Sequence, residues 1–140
     1  MITYPQFIKI LDKASKKFGL SDPDIAYMKC SDFSFAAMLV ALEIDLTEVS
    51  VITCEVSIQT SSNNFKVGEK IHHALLKING EYYDYTIAQI DSSQDAHLGF
   101  SVPEYYTNLV TKEKSFFSDK SNLNNYHTYI WKQVSEILEN

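Results

Sequence analysis

Three residues of the kind that performs acyl chemistry stand in order along this chain: Cys30, His73 and Asp84. A cysteine thiolate can attack an acyl carbon. A histidine can hold and move the proton, and an aspartate can orient the imidazole and stabilise its charge. Cys30 opens the stretch K-C-S-D-F-S-F-A-A-M-L-V-A-L. If that stretch is a helix, the thiol sits at its N-terminus, among unpaired N–H groups and the positive end of the dipole. Both favour the thiolate. The backbone N–H of Cys30 is also placed to help hold an oxyanion.

His73 and Asp84 are linked by a turn. Asn79-Gly80 lies between apolar alternations, the strongest short-range hairpin signal. The expected hairpin runs from about Ile71 to Thr86. A two-residue turn fixes its register, with Ile78 facing Glu81, Lys77 facing Tyr82 and Leu76 facing Tyr83. Continued, Leu75 faces Asp84 and His73 faces Thr86. Side chains alternate, so His73, Leu75, Asp84 and Thr86 share one face. His73 and Asp84 become diagonal neighbours there, roughly 7–8 Å apart at the backbone and within side-chain reach. His72 falls on the other face with Ala74, Leu76 and Ile78, and reads as a structural histidine packed against the buried helix or sheet. An odd bulge would exchange the two histidines. A His–Asp pair on a hairpin can equally be a surface pair with no chemistry.

Other candidates carry less. Cys54 alternates with polar residues in Val51–Gln59 and reads as a small buried hydrophobe. His97 falls in a loop-like stretch and His127 near the start of the last helix, both reading as surface positions. No two histidines stand four apart and no C-x-x-C occurs, so no metal site or cofactor is expected. Ser92-Ser93 lacks a nucleophile-elbow context. Tyr82, Tyr83 and Tyr85 fit strand packing.

The elements that must position these residues follow from periodicity. Thr3 can cap a first helix with Pro5 in its first turn, Phe7, Leu11, Ala14 and Phe18 on one face, and Gly19 as its stop. Ser21–Asp24 reads as a loop. The second helix, about Cys30 to Ile44, is apolar nearly all round and should be central. Val51–Gln59 is a strand. Asp91–Gly99 reads as a loop, Glu104–Val110 as a short helix, and Tyr126, Ile130, Val134, Ile137 and Leu138 as one face of a C-terminal helix.

The chain has 140 residues, which suits a single domain spanning 1–140, and 45% hydrophobic residues, enough for a packed core. It carries a net charge of −6, with lysines and no arginine. That balance argues against nucleic acid as a partner. The apolar run Phe35–Leu42 is too short for a membrane span, and Met1–Lys17 lacks a signal-peptide core. The expected location is the cytoplasm, or outside it by a route without a cleaved signal.

The motifs C-S-D-F-S-F-A-A-M-L-V-A-L and H-A-L-L-K-I-N-G-E-Y-Y-D-Y-T together resemble the transglutaminase-like branch of the papain-like cysteine peptidase superfamily, over about Tyr27 to Thr86. Asp84 stands eleven positions after His73, as is common in that family. The chain departs from the family at Met28, Leu75 and Tyr85, where glycine, an aromatic residue and proline are frequent. Those departures bear on the substrate pocket more than on the triad. The resemblance implies an α+β fold with a central Cys-bearing helix packed on an antiparallel β-sheet. It implies Cys30 as nucleophile, His73 as base and Asp84 as orienting residue, acting on protein or peptide amides as a protease, amidase, deamidase or transglutaminase-like enzyme. Tyr27 is a candidate second oxyanion donor. The alternative is a catalytically inactive module of the same fold that binds a protein through exposed tyrosines. A related group of cell-wall amidases often has histidine where this chain has Asp84.

Overall fold

The structure is a computed structural model and describes residues 1–94, 99, 101–112 and 120–139. The first helix, α1 (Tyr4–Lys17), starts in a capping box. Thr3 Oγ1 accepts from the Gln6 N–H at 3.2 Å, and the Thr3 N–H donates to Gln6 Oε1 at 2.9 Å. Its apolar face buries Phe7, Ile10, Leu11 and Ala14. The chain leaves α1 through Gly19 at φ +70°, where a Cβ would stand 3.1 Å from Ile25 Cδ1. The stretch expected as a loop instead opens a one-turn helix, α2 (Pro23–Ala26). Asp22 caps it on the Asp24 N–H at 2.9 Å, and Pro23 suits its first position.

Helix α3 (Cys30–Glu43) is buried on nearly every side, through Phe33, Phe35, Ala36, Ala37, Val40 and Ala41. Phe33 shows how it is held: its ring lies 5.3 Å from Tyr85, next to the sheet, and 5.4 Å from Tyr126 of the last helix. Burying such a ring contributes roughly 1.5–3 kcal/mol. That last helix, α4 (Lys120–Leu138), turns Tyr126, Ile130 and Val134 inward, as its spacing predicts, with Leu123 beside them; Ile137 and Leu138, expected on the same face, are exposed in its last turn, beyond the packed core.

The sheet has four antiparallel strands: β1 (Val49–Ser57), β2 (Lys70–Ile78), β3 (Glu81–Tyr83) and β4 (Tyr106–Lys112), in the order β3-β2-β1-β4. Helix α3 packs on one face, α4 packs on α3 and α1, and Val49, Val51, Ala74, Leu76 and Ile78 share one buried cluster with these helices. The other face carries Ile52, Cys54, Val56 and Leu75. The chain between β3 and β4 covers it with Ile87 and Ile90, while Tyr106 of β4 belongs to the same cluster. The class is therefore α+β.

The hairpin turns at Asn79 (φ 50°) and Gly80 (φ 89°), with the expected register of Ile78 to Glu81, Lys77 to Tyr82 and Leu76 to Tyr83. Pairing stops there. Asp84 lies one residue beyond β3, not within the strand. Along Ile71–Leu75 the β3 side of β2 has no strand partner among the described residues.

Glu104–Val110, expected to be helical, belongs instead to the approach and body of strand β4. Tyr105, Tyr106, Thr107, Val110 and Thr111 are aromatic or β-branched, which suits a strand, and pairing with β1 decides the matter. The pairing contains a bulge. Thr53 opposes Val110 and Glu55 opposes Thr107, so β4 holds one extra residue there, with Asn108 at φ 56°.

Candidate active site

The hairpin parity brings His73 and Asp84 together. His73 Nε2 donates to Asp84 Oδ2 at 2.6 Å, and both side chains are buried. Ending β3 at Tyr83 frees Asp84 from the ladder. Its Oδ1 instead accepts from the Thr86 N–H at 3.0 Å and from Thr86 Oγ1 at 3.3 Å. The Tyr106 hydroxyl donates to Asp84 Oδ2, the oxygen that also holds His73. The Tyr106 ring stands edge-on to the imidazole, 5.9 Å between centroids and 85° between planes. Gln89 is buried, with its amide nitrogen 3.4 Å from His73 Nδ1. Since Asp84 occupies Nε2, Nδ1 is the nitrogen left to face Cys30.

Cys30 is the first residue of α3 and is half-buried. It meets His73 at the edge of β2 that β3 leaves uncovered. In an antiparallel ladder the N–H groups alternate in direction. Leu76 and Ile78 turn theirs toward β3, so Ala74 turns its N–H to the same side, where it bonds the Cys30 sulfur. The short β3 thus leaves a backbone donor for the thiolate.

The electrostatics follow from these contacts. Burial alone would raise the Cys30 pKa. The charge and hydrogen bond of His73, with the Ala74 N–H, outweigh that and hold it below the ordinary thiol value of 9.0, although Asp84 opposes them. Burial likewise opposes charge on His73. The Asp84 carboxylate and the Cys30 thiolate overcome it and push the imidazole up to about 10. Each shift has the other partner's charge among its causes, so thiolate and imidazolium stabilise one another. Burial first, then Asp84, drives Tyr106 well above its ordinary range, which keeps its hydroxyl protonated to donate.

A cavity of about 250 Å³ opens over the pair, lined by Cys30, Ser31, Thr53, His72, His73 and Lys112. His72 is exposed and lines this cavity; it is not packed against the buried helix or sheet as expected. The apolar face of β2 begins at Ala74; before it the strand stays paired with β1, but Lys70 and His72 on that face are exposed. Tyr27, at 37% exposure, stacks edge-on against Phe65 at 5.3 Å and does not line the cavity. Cys54 is buried, as its alternation predicts, and burial, then the charges of Asp84 and Cys30, push its thiol up to about 12. His127 is partly exposed and pairs with Glu43 at 3.0 Å. His97 lies outside the described residues. No group of metal-ligating side chains occurs among the described residues, and no described helix is long and apolar enough to cross a membrane.

Tyr106, Gln89 and Lys112 are not marked in the sequence as site residues. The one available signal was the strand character of β4, which would have carried Tyr106 and Lys112 to the sheet. Comparisons with known protein families, with curated proteins and with solved structures find no match.

Proposed function

We propose that this protein is a cysteine-nucleophile acyl-transfer enzyme acting on protein or peptide amides, organised like the transglutaminase-like branch of the papain-like superfamily. The observation that carries this reading is the buried His73–Asp84 bond of 2.6 Å beside a half-buried cysteine with a lowered pKa, beneath an open cavity. A structural His–Asp pair has no need of a thiol at the N-terminus of a helix, nor of a solvent-open pocket above it.

The mechanism follows from the geometry. The Cys30 thiolate attacks the amide carbon, forming a C–S bond and moving the carbonyl π electrons onto oxygen. Backbone N–H groups at the start of α3 are placed to receive that oxyanion. As the intermediate collapses, the C–N bond breaks and the imidazolium gives its Nδ1 proton to the leaving nitrogen, producing a thioester and neutral His73. Water then gives a proton to His73 and attacks the thioester, which releases the acid and restores the thiolate. An amine in place of water completes a transfer. Asp84 holds the ring through Nε2 throughout, and Thr86 and Tyr106 hold Asp84.

Incubation with a mixture of glutamine-rich peptides, read by mass spectrometry for cleavage, deamidation and Cys30-bound acyl groups, tests this. Turnover that disappears in a folded Cys30→Ala variant is expected. A Cys30→Ala variant as active as the parent would overturn it.

A further inference from the structure

The strand β4 contributes to the site twice, from opposite faces. Tyr106 pairs with Val56 and points to the sheet face that carries Asp84. Lys112 pairs with Val51 and lines the cavity above Cys30. Both positions are even-numbered, so on a regular strand they would share one face. The extra residue at the bulge, with Asn108 in the left-handed region, reverses the parity between them. Without it, Thr111 would oppose Val51 and Lys112 would turn to the far face. A non-glycine residue at positive φ is costly. Here it delivers a clamp for Asp84 and an ammonium group to the cavity from a single strand.

We propose that Lys112 is a specificity residue, and that the acyl substrate carries a carboxylate beside the bond Cys30 attacks, as in a peptide with an acidic side chain at the cleaved or modified position. This rests on Cys30 being the nucleophile. The cavity's charges define where the anion sits. Cys30 and His73 form a pair with no net charge, while Ser31 and Thr53 are neutral hydroxyls. Glu55 shares the face of Thr53 but lies directly opposite His72, at the other end of the cavity. The cationic end is therefore at Lys112. It lies two strand spacings, about 10 Å, from β2, which a lysine side chain and a bound carboxylate span together. The volume of about 250 Å³ suits one such side chain and its amide rather than a large aromatic group.

Iodoacetate and iodoacetamide alkylate the same thiol and differ in a carboxylate against a carboxamide. Their rate constants at Cys30, read separately from Cys54 by mass spectrometry, give a ratio that reports attraction of the anion. The ratio in the parent is expected to fall about five- to tenfold in Lys112→Gln, further in Lys112→Glu, and less steeply at high salt. A ratio equal in the parent and both variants overturns the assignment of Lys112. Cys30 reacting no faster than Cys54 with either reagent overturns the nucleophile itself, and the specificity proposal with it.

Discussion

Two thiols lie near the same imidazole and are driven in opposite directions. Cys54 sits on β1 directly across from His73, its partner in the strand ladder, yet its pKa rises to about 12. Cys30 comes from a different element, at the mouth of α3, and its pKa is lowered. A place opposite a histidine in the ladder is therefore not enough to activate a cysteine. Cys54 lies in the apolar cluster with Ile52, Val56 and Leu75, where burial and the charges of Asp84 and Cys30 all oppose a thiolate. Cys30 has a hydrogen bond from His73, a backbone N–H from Ala74 and the N-terminus of a helix. The charge of His73 lowers Cys30 and is not among the causes acting on Cys54, and the donors aimed at the Cys30 sulfur add to it.

That contrast can be broken most severely at His73. In His73→Ala the burial of Cys30 is no longer opposed by a cation, so its pKa should rise above the ordinary 9.0. Alkylation near neutral pH is then expected to slow by about ten- to a hundredfold, each unit of pKa being roughly a factor of ten. Cys54 should show no comparable change.

Asp84→Asn acts one step further away. The imidazole loses the carboxylate that raises it, so its pKa should fall from about 10 toward the ordinary 6.5. The pH range in which thiolate and imidazolium coexist lies above the Cys30 pKa and below that of His73. It should therefore narrow from its alkaline side. The pH profile of acyl transfer would show its upper limb moving to lower pH, with turnover reduced about a hundredfold at pH 8. An upper limb left in place would assign the high pKa to another group.

Tyr106→Phe should be milder. It removes the hydroxyl that donates to Asp84 Oδ2 but keeps the ring against His73. Loss of a donor to a buried carboxylate should cost about 1.5–3 kcal/mol in urea unfolding. Cys54→Ala should be the smallest change at the site. Removing one buried sulfur costs about 1 kcal/mol of stability and leaves the reactivity of Cys30 intact. Should Cys54→Ala silence the protein while Cys30→Ala does not, the roles of the two thiols would be reversed.

The parts of the site governed by local rules were legible in the chain. Asn79-Gly80 fixes the register from Leu76 to Tyr83, and register decides that His73, not His72, shares a face with Asp84. The apolar stretch after Cys30 fixes the central helix. What was not legible depends on pairing at a distance. Tyr106 reaches Asp84 across 22 residues of chain, from a strand whose conformation is decided by β1. Lys112 faces the cavity because of a bulge at Asn108, and no alternation pattern announces an extra residue. His72 escaped its expected burial because β2 starts beyond the edge of the packed face.

The most direct test of the account is the pH dependence of alkylation at Cys30 and Cys54, measured site by site in the parent and in His73→Ala. The account predicts rapid reaction of Cys30 at and below neutral pH, slow reaction of Cys54 throughout, and loss of the Cys30 advantage in His73→Ala. Two thiols that both react slowly, with Cys30 rising only above the ordinary thiol range in the folded parent, would contradict it.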